Sequence, residues 1–533
     1  MDEADDPLPF DNLDNNIIVG DALFVDWPKV NAIIGNPPFQ AKNKMREEFG
    51  HEYVNKIKKE NPGIPGTADY CVYWFRKAHD MLLEGGRAGL VGTKTISQTN
   101  SRIGGLDYIV SHDGTIMEAV SKMPWSGDAV VHVSIVNWIK GDVKPGKRKL
   151  AMQLGEKKDG PWKEYELDNI SSSLSLDIDV AKAKIISINK NPKSCYQGQI
   201  HGHEGFLLTP IERQNLIKLE PEAMEVTFPY LTGEDLVGNL YSQPSRFVID
   251  FQPRDSIFEV KKYPKTFSII KEKVLPKMIE NANEEQEEYK YSIKKDNSRQ
   301  NHLNKWWLLH RKRDALISKL NTIKRYIACS RVTKRPIFEF ISSEIHPSDV
   351  IQAFSLEDDY SFGILQRSLH WEWFKARCST LKGDPRYTSE TIFNSFPWPQ
   401  WGNLENLTCK NKKSPIDITR EVSKAARNLR EIRSKLVFQD KHTLREIYLA
   451  LEDPGDSPLK EAHKLLDNAV WNAYHCGLPR EMQKMNTLEF LLKLNELCTQ
   501  VEEEGKSIVG PGLPPFCKGH FEFFSDDCIK FIA

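Results

Sequence analysis

The chain has 533 residues, 40% hydrophobic and 28% charged, with a formal net charge of −1; that length exceeds one ordinary core, and the composition is that of an ordered globular protein. No run approaches the roughly 20 consecutive apolar residues of a membrane span, and the acidic start Met1-Asp-Glu-Ala-Asp-Asp6 carries no signal-peptide pattern, so the sequence predicts two to four domains in a cytoplasmic enzyme without a membrane partner. Nine cysteines with no CxxC pair among them argue against zinc, and no metal site is expected.

The opening of the chain reads as α/β. Residues 16–19 and 32–34 are short apolar runs closed by Gly20 and Gly35, the pattern of buried strands. Residues 70–83 have helical apolar spacing that stops at Gly85-Gly86. Residues 88–91 are strand-like again. So are residues 129–138, after the turn 124–128, with an antiparallel edge strand as the alternative for this last run. Strands alternating with helices predict a largely parallel sheet, helices on both faces, and a ligand site beyond the carboxyl ends of its strands. His132, on an apolar strand, reads as a core residue.

From about Lys144 short β-rich stretches, such as 247–251 and 336–341, alternate with loops and basic helices as far as Pro397-Trp398-Pro399. The remainder is helical: Ser414-Pro415-Ile416-Asp417 is a helix start, followed by 420–436, 444–451, 458–474 and 487–501.

The net charge conceals a strong asymmetry. Residues 294–335 hold thirteen Lys or Arg against two Asp, whereas residues 280–288 hold five Glu and no base. Such a run is a solvated face or a nucleic-acid footprint. Trp306, Trp307, His310, Tyr326 and Ile327 interrupt it, which favours a packed element with one basic side; the tryptophans themselves read as core.

The segment that carries chemistry is Asn31-Ala-Ile-Ile-Gly-Asn-Pro-Pro-Phe39. Asn36, Pro37, Pro38 and Phe39 follow directly on an apolar strand, where an α/β site is built. Each residue type suits activation of an exocyclic amine, whose lone pair is delocalised into the base. The Asn36 side-chain oxygen and the Pro37 carbonyl each accept one amine hydrogen, drawing the nitrogen toward a tetrahedral, nucleophilic geometry. Prolines fix φ and bring no competing N–H. Phe39 offers a flat face to a base taken out of the duplex.

These residues resemble the catalytic motif of amino-methylating, S-adenosyl-L-methionine-dependent methyltransferases. Gly20-Asp21-Ala22-Leu23 resembles the motif before it, whose Asp bonds the cofactor's adenine; Asp21 takes that place here. Gly85-Gly-Arg-Ala-Gly-Leu-Val91 looks like the family's strand after its Gly-Gly turn. Longer stretches narrow the likeness: Thr115-Ile-Met-Glu-Ala-Val120, Gly127-Asp-Ala-Val-Val-His-Val-Ser-Ile-Val-Asn-Trp138, Arg325-Tyr-Ile-Ala-Cys-Ser-Arg331, Trp373-Phe-Lys-Ala-Arg-Cys-Ser-Thr-Leu-Lys-Gly383 and Phe396-Pro-Trp-Pro-Gln400 resemble the MmeI family of single-chain restriction–modification enzymes, over residues 20 to 475. The resemblance implies a partial Rossmann-like methyltransferase sheet in 1–145, a mixed α+β target-recognition domain in 146–400 and a C-terminal helical domain in 401–533. It implies adenine-N6 methylation of double-stranded DNA, and makes Arg311, Arg313, Lys324, Arg325, Arg331, Lys334 and Arg335 candidates for phosphate or base contacts.

The departures are as informative. In the family a glycine-rich cofactor loop and an acidic ribose-binding residue precede the position of Gly20; neither Gly85-Gly86 nor Gly104-Gly105 replaces them, and no nuclease motif is present. The expected partner is therefore an upstream polypeptide carrying the cofactor loop and nuclease. Two rivals stand beside this reading: a catalytically inactive DNA-binding specificity protein, and a protein-glutamine methyltransferase, which shares the Asn-Pro-Pro-aromatic motif but leaves the basic segment unexplained.

Overall fold

Val30–Gly35 forms β1 and Leu82–Thr93 forms β2, paired in parallel with Ile33, Ile34 and Gly35 opposite Ala88, Gly89 and Leu90. The computed structural model describes residues 17–41, 44–125, 131–141, 143–154, 159–176, 179–289, 297–381, 384–401, 414–476, 478 and 481–532. The head of the basic run (294–296), the expected turn residues 126–128, the first residues of the run 129–138, the last two of the motif 373–383 and residue 16 of the first expected strand lie outside the described residues. Parallel neighbours need a crossover; α1 (Met45–Glu60) and α2 (Val72–Met81) supply it, burying Val54, Ile57, Val72, Phe75 and Ala78.

After α3 (Thr99–Gly104) and α4 (Leu106–Ser111) come β3 (Gly114–Pro124), β4 (His132–Lys140), β5 (Arg148–Gln153) and β6 (Trp162–Leu167). The sheet order is β1-β2-β4-β3-β5-β6. Only β1–β2 and β3–β5 pair in parallel; β2–β4, β3–β4 and β5–β6 are antiparallel. The sheet is thus mixed, not largely parallel as expected. β4 is antiparallel but interior, hydrogen-bonded to β2 on one side and β3 on the other, with Val133, Val136 and Trp138 buried. The short connection from β3 permits only an antiparallel return, and its alternating apolar residues fill the core beneath, where Trp138 stacks on Phe75. His132 opens β4, opposite Pro124.

Two further expectations are corrected. Residues 17–19 form no strand: Ile17, Ile18 and Val19 are exposed, Val19 to 95%, and β1 is the outermost strand of the sheet among the described residues. A strand needs partners for its N–H and C=O groups, and the first described one is β1. The glycine pair does not end the helix either, since α2 stops at Met81 and Gly85-Gly86 lie inside β2. They absorb a register shift against β1: Val30 pairs with Leu82 but Ala32 with Arg87. Gly85 adopts φ 77°, and a Cβ on Gly86 would meet Leu83 O at 2.8 Å and Asn31 O at 3.1 Å, which only glycine allows.

Packing divides the chain between Asp179 and Val180, so the boundary expected near residue 145 falls between β4 and β5 of one sheet. The second unit holds two four-stranded sheets. One is built of β7 (Cys195–Gln197), β11 (Arg325–Ser330), β12 (Glu339–Ser342) and β14 (Ile351–Phe354); the other of β8 (Leu207–Leu208), β9 (Thr227–Leu231), β10 (Arg246–Ile249) and β13 (His346–Pro347). Helices Pro415–Phe438, Leu444–Leu449, Pro458–His475 and Thr487–Glu503 follow where the sequence predicts them. They do not build a core of their own: Val422, Ala426, Leu466 and Val470 share one cluster with Ile327, Phe340, Phe354, Trp373 and Trp398. The chain end returns to the same sheets, Ile529 pairing with Ile341 and Phe531 packing on Phe247. No helix among the described residues is long and apolar enough to cross a membrane.

Candidate functional site

Asn36 follows the last residue of β1, at the carboxyl end of two parallel strands, the position where open α/β sheets bind ligands. Pro37 is buried, anchoring the turn, while Asn36 and Pro38 are exposed and Phe39 is half-buried. The Phe39 ring meets Trp125 edge-on, with centroids 5.7 Å apart and planes at 87°. Trp125 follows β3 directly, and its backbone N–H donates to Val131 O at 2.8 Å. The turn leaving the motif is fixed as well: Tyr70 N–H donates to Gln40 O at 3.0 Å, and the Tyr70 ring packs edge-on against Trp74, 4.6 Å away.

Asp21 lies in a tight turn on which Phe24 and Val25 donate their N–H groups to its carbonyl. Its side chain is exposed yet held at both oxygens: Oδ1 accepts Leu23 N–H at 2.9 Å and Oδ2 accepts the Tyr53 hydroxyl at 2.6 Å. Tyr53 OH also lies 2.6 Å from Tyr70 OH. Lys77, from α2, donates to the carbonyls of Ala22, Leu23 and Val25, and Trp27 Nε1 donates to Ala22 O at 2.8 Å. Burial pulls the Lys77 ammonium below its usual range despite Asp26, Asp21 and Glu60 nearby. Asp69 accepts from the hydroxyls of Thr93 and Thr95 at the end of β2. Tyr53, Tyr70, Lys77 and Trp125 were not singled out from the sequence as site residues. For Tyr53 and Tyr70 the signal is the density of aromatics between Phe49 and Trp74, which has no spacing rule; Lys77 and Trp125 lie outside that stretch. No group of three or more His, Cys, Asp or Glu suited to a metal occurs among the described residues.

The basic residues of the second unit sort by burial. Arg325 is buried, donating to the carbonyls of Glu357 and Asp527, pairing with Asp359, and lying over the Phe340 ring. Arg331 is buried too, donating to Asp349 O at 2.7 Å, and burial pushes its guanidinium down to about 10. Arg313 donates to Gly198 O and Gln197 Oε1, and Arg335 lies over the rings of Trp371 and Tyr448. These four hold the fold. That removes Arg325 and Arg331 from the expected DNA-contact set, since a buried cation already ion-paired or bonded to carbonyls is not offered to a phosphate. Arg311, Lys324 and Lys334 are exposed. Trp306 is buried against Phe267, and Trp307 is half-buried with Nε1 donating to Asp255 O.

Residues 1–150 match the family model of the MmeI DNA-methyltransferase domain, and residues 310–400 match that of the MmeI target recognition domain. The chain thus holds one segment similar to the MmeI methyltransferase domain and one similar to the MmeI target recognition domain. The MmeI-type fold extends beyond those two matches: the solved structure of the Type IIL restriction-modification enzyme MmeI in complex with DNA superposes with a TM-score of 0.68 over 91% of this chain, at 20% identity. DNA methyltransferase A of Bacillus subtilis (strain 168) is 32% identical over 146 residues, 26% of this chain. The chain spans 14% of that methyltransferase and 60% of the solved MmeI chain.

Proposed function

We propose that this chain forms the catalytic wall and the recognition domain of a restriction–modification methyltransferase that transfers a methyl group from S-adenosyl-L-methionine to adenine N6 in duplex DNA. The observation that carries the reading is the placement of Asn36-Pro37-Pro38-Phe39 at the carboxyl end of β1, with Trp125 edge-on to Phe39. The residues present fit the adenine end of the cofactor: an exposed carboxylate, Asp21, fixed in place by two donors and keeping free lone pairs for an exocyclic amine. S-adenosyl-L-methionine, when bound, supplies the electrophilic methyl group.

The chain's own residues do the rest. Phe39 stacks on the extruded base, and Trp125 braces Phe39. The Asn36 side-chain oxygen and the Pro37 carbonyl accept the two hydrogens of the amine. The nitrogen lone pair is thereby freed from the ring and the amine turned toward attack. Lys334, Arg311 and Lys324 supply exposed positive charge for phosphates, which position a duplex without reading it.

The edge of β1 supports an upstream partner. Ile34 is 89% exposed on β1, the outermost strand among the described residues. An apolar edge strand is a template for further strands. We therefore assign this edge to a polypeptide that carries the glycine-rich cofactor loop. Titrating labelled S-adenosyl-L-methionine into the chain with DNA, with and without that polypeptide, tests the reading. Transfer to DNA only in the complex supports it. Binding of DNA without transfer in either case supports the inactive specificity protein instead.

A further inference from the structure

Asp21 and Phe39 stand on opposite sides of the proposed reaction, one toward the cofactor and one toward the base, and a chain of hydrogen bonds connects their supports. A carboxylate only accepts, so Tyr53 donates its single hydroxyl hydrogen to Asp21 Oδ2 at 2.6 Å. The second contact of that hydroxyl, 2.6 Å to Tyr70 OH, then has one possible direction: Tyr70 donates to the Tyr53 oxygen. Tyr70 in turn fixes the backbone next to Phe39 through its N–H bond to Gln40 O. Its ring is buried among Phe49, Tyr73 and Trp74, so the relay starts from a rigid point. Burial raises both phenols above their ordinary value, with the Asp21 bond adding to the rise at Tyr53, so each keeps its proton as a donor at neutral pH.

We infer that Tyr53 is a positioning residue for Asp21: it holds the carboxylate toward the cofactor's adenine, and Tyr70 sets Tyr53 and the catalytic turn to one another. The inference rests on Asp21 being the cofactor contact. A structural origin for the same bonds would be tertiary packing of α1, but the Tyr53 hydroxyl reaches past its ring neighbours Phe24 and Phe49 to an exposed carboxylate. Packing alone requires no hydroxyl there.

Tyr53→Phe and Tyr70→Phe each remove one hydroxyl and keep the ring. Two readouts apply. In the full chain alone, hydrogen exchange at the Leu23 amide, whose acceptor is Asp21 Oδ1, should quicken about fivefold in Tyr53→Phe, while amides of β2 and β4 keep their rates. In the full chain joined by the upstream polypeptide, equilibrium dialysis should show Tyr53→Phe weakening S-adenosyl-L-methionine about fivefold to tenfold, with turnover at saturating cofactor unchanged. The same substitution placed on Asp21→Ala should add less than about twofold, because its effect passes through that carboxylate. Unaltered exchange, an unaltered cofactor affinity, or an equal loss with and without Asp21 overturns the inference. Should Asp21→Ala itself leave cofactor affinity intact, the placement of Asp21 falls and takes the inference with it. A loss in Asp21→Ala with none in Tyr53→Phe overturns the inference alone.

Discussion

Asn36 offers the one side-chain acceptor in the motif. Asn36→Ala should lower turnover by at least about 100-fold, the scale seen when one preorganised hydrogen-bonding group is lost from a reacting centre. Duplex affinity should stay within about twofold, since it comes from phosphate contacts elsewhere. Steady-state kinetics beside a binding titration checks both halves. Phe39 and Trp125 should behave as a pair. Stacking of a base on an aromatic ring contributes about 1–3 kcal/mol, so Phe39→Ala lowers both the rate and the 2-aminopurine signal of an extruded target, and Trp125→Ala does the same more weakly by freeing Phe39. Phe39→Tyr should retain most activity; if Phe39→Ala leaves the signal unchanged, the ring is packing only. At this scale the motif itself stands out in the sequence, because its three residue types each suit one chemical need. Trp125 and Tyr53 do not. They reach Phe39 and Asp21 across loops whose closure leaves no periodic trace in the sequence.

Elements divide the basic residues more sharply than charge does. Arg325 on β11 sits among Asp359, Asp527 and Arg430, with the Asp359 side chain wholly buried. Removing one partner of such a network leaves an uncompensated charge and costs about 3–5 kcal/mol. Arg325→Ala should therefore lower the melting temperature markedly. Arg311→Ala and Lys334→Ala should leave melting unchanged and each reduce the salt dependence of DNA binding by about one ion. A normally stable Arg325→Ala that binds DNA poorly would return Arg325 to the contact surface. The sequence could not separate these cases, because the same basic run supplies both a strand interior and its exposed loops. Periodicity did locate the helices from Pro415 onward, where capping by Ser414 and Ser457 and an apolar stripe agree. It misjudged residues 17–19 and the place of β4, since an apolar run says that a segment is buried in a sheet or seeks one, not which neighbour it has.

At the scale of the whole molecule, acid should loosen the second unit before it alters the motif. Burial holds His346, His370 and His463 neutral, each pushed down to about 3; His370 is also bonded to Leu365 O and Tyr387 OH. Unfolded histidine titrates near about 6.5, so between the two values the unfolded chain binds more protons. The stability is complete above about pH 6.5 and is lost as pH falls toward 3, by about 1.4 kcal/mol per pH unit for each histidine. Melting curves at about pH 7.5 and about pH 5 check this, and an unchanged midpoint contradicts it. The central claim, that a recognition unit and this α/β sheet together methylate adenine, comes down to the product. DNA incubated with S-adenosyl-L-methionine, the chain and the proposed upstream polypeptide, then digested to nucleosides and analysed by mass, should yield N6-methyladenine that vanishes with Asn36→Ala. Methylated cytosine in its place, or N6-methyladenine undiminished in Asn36→Ala, would contradict the account.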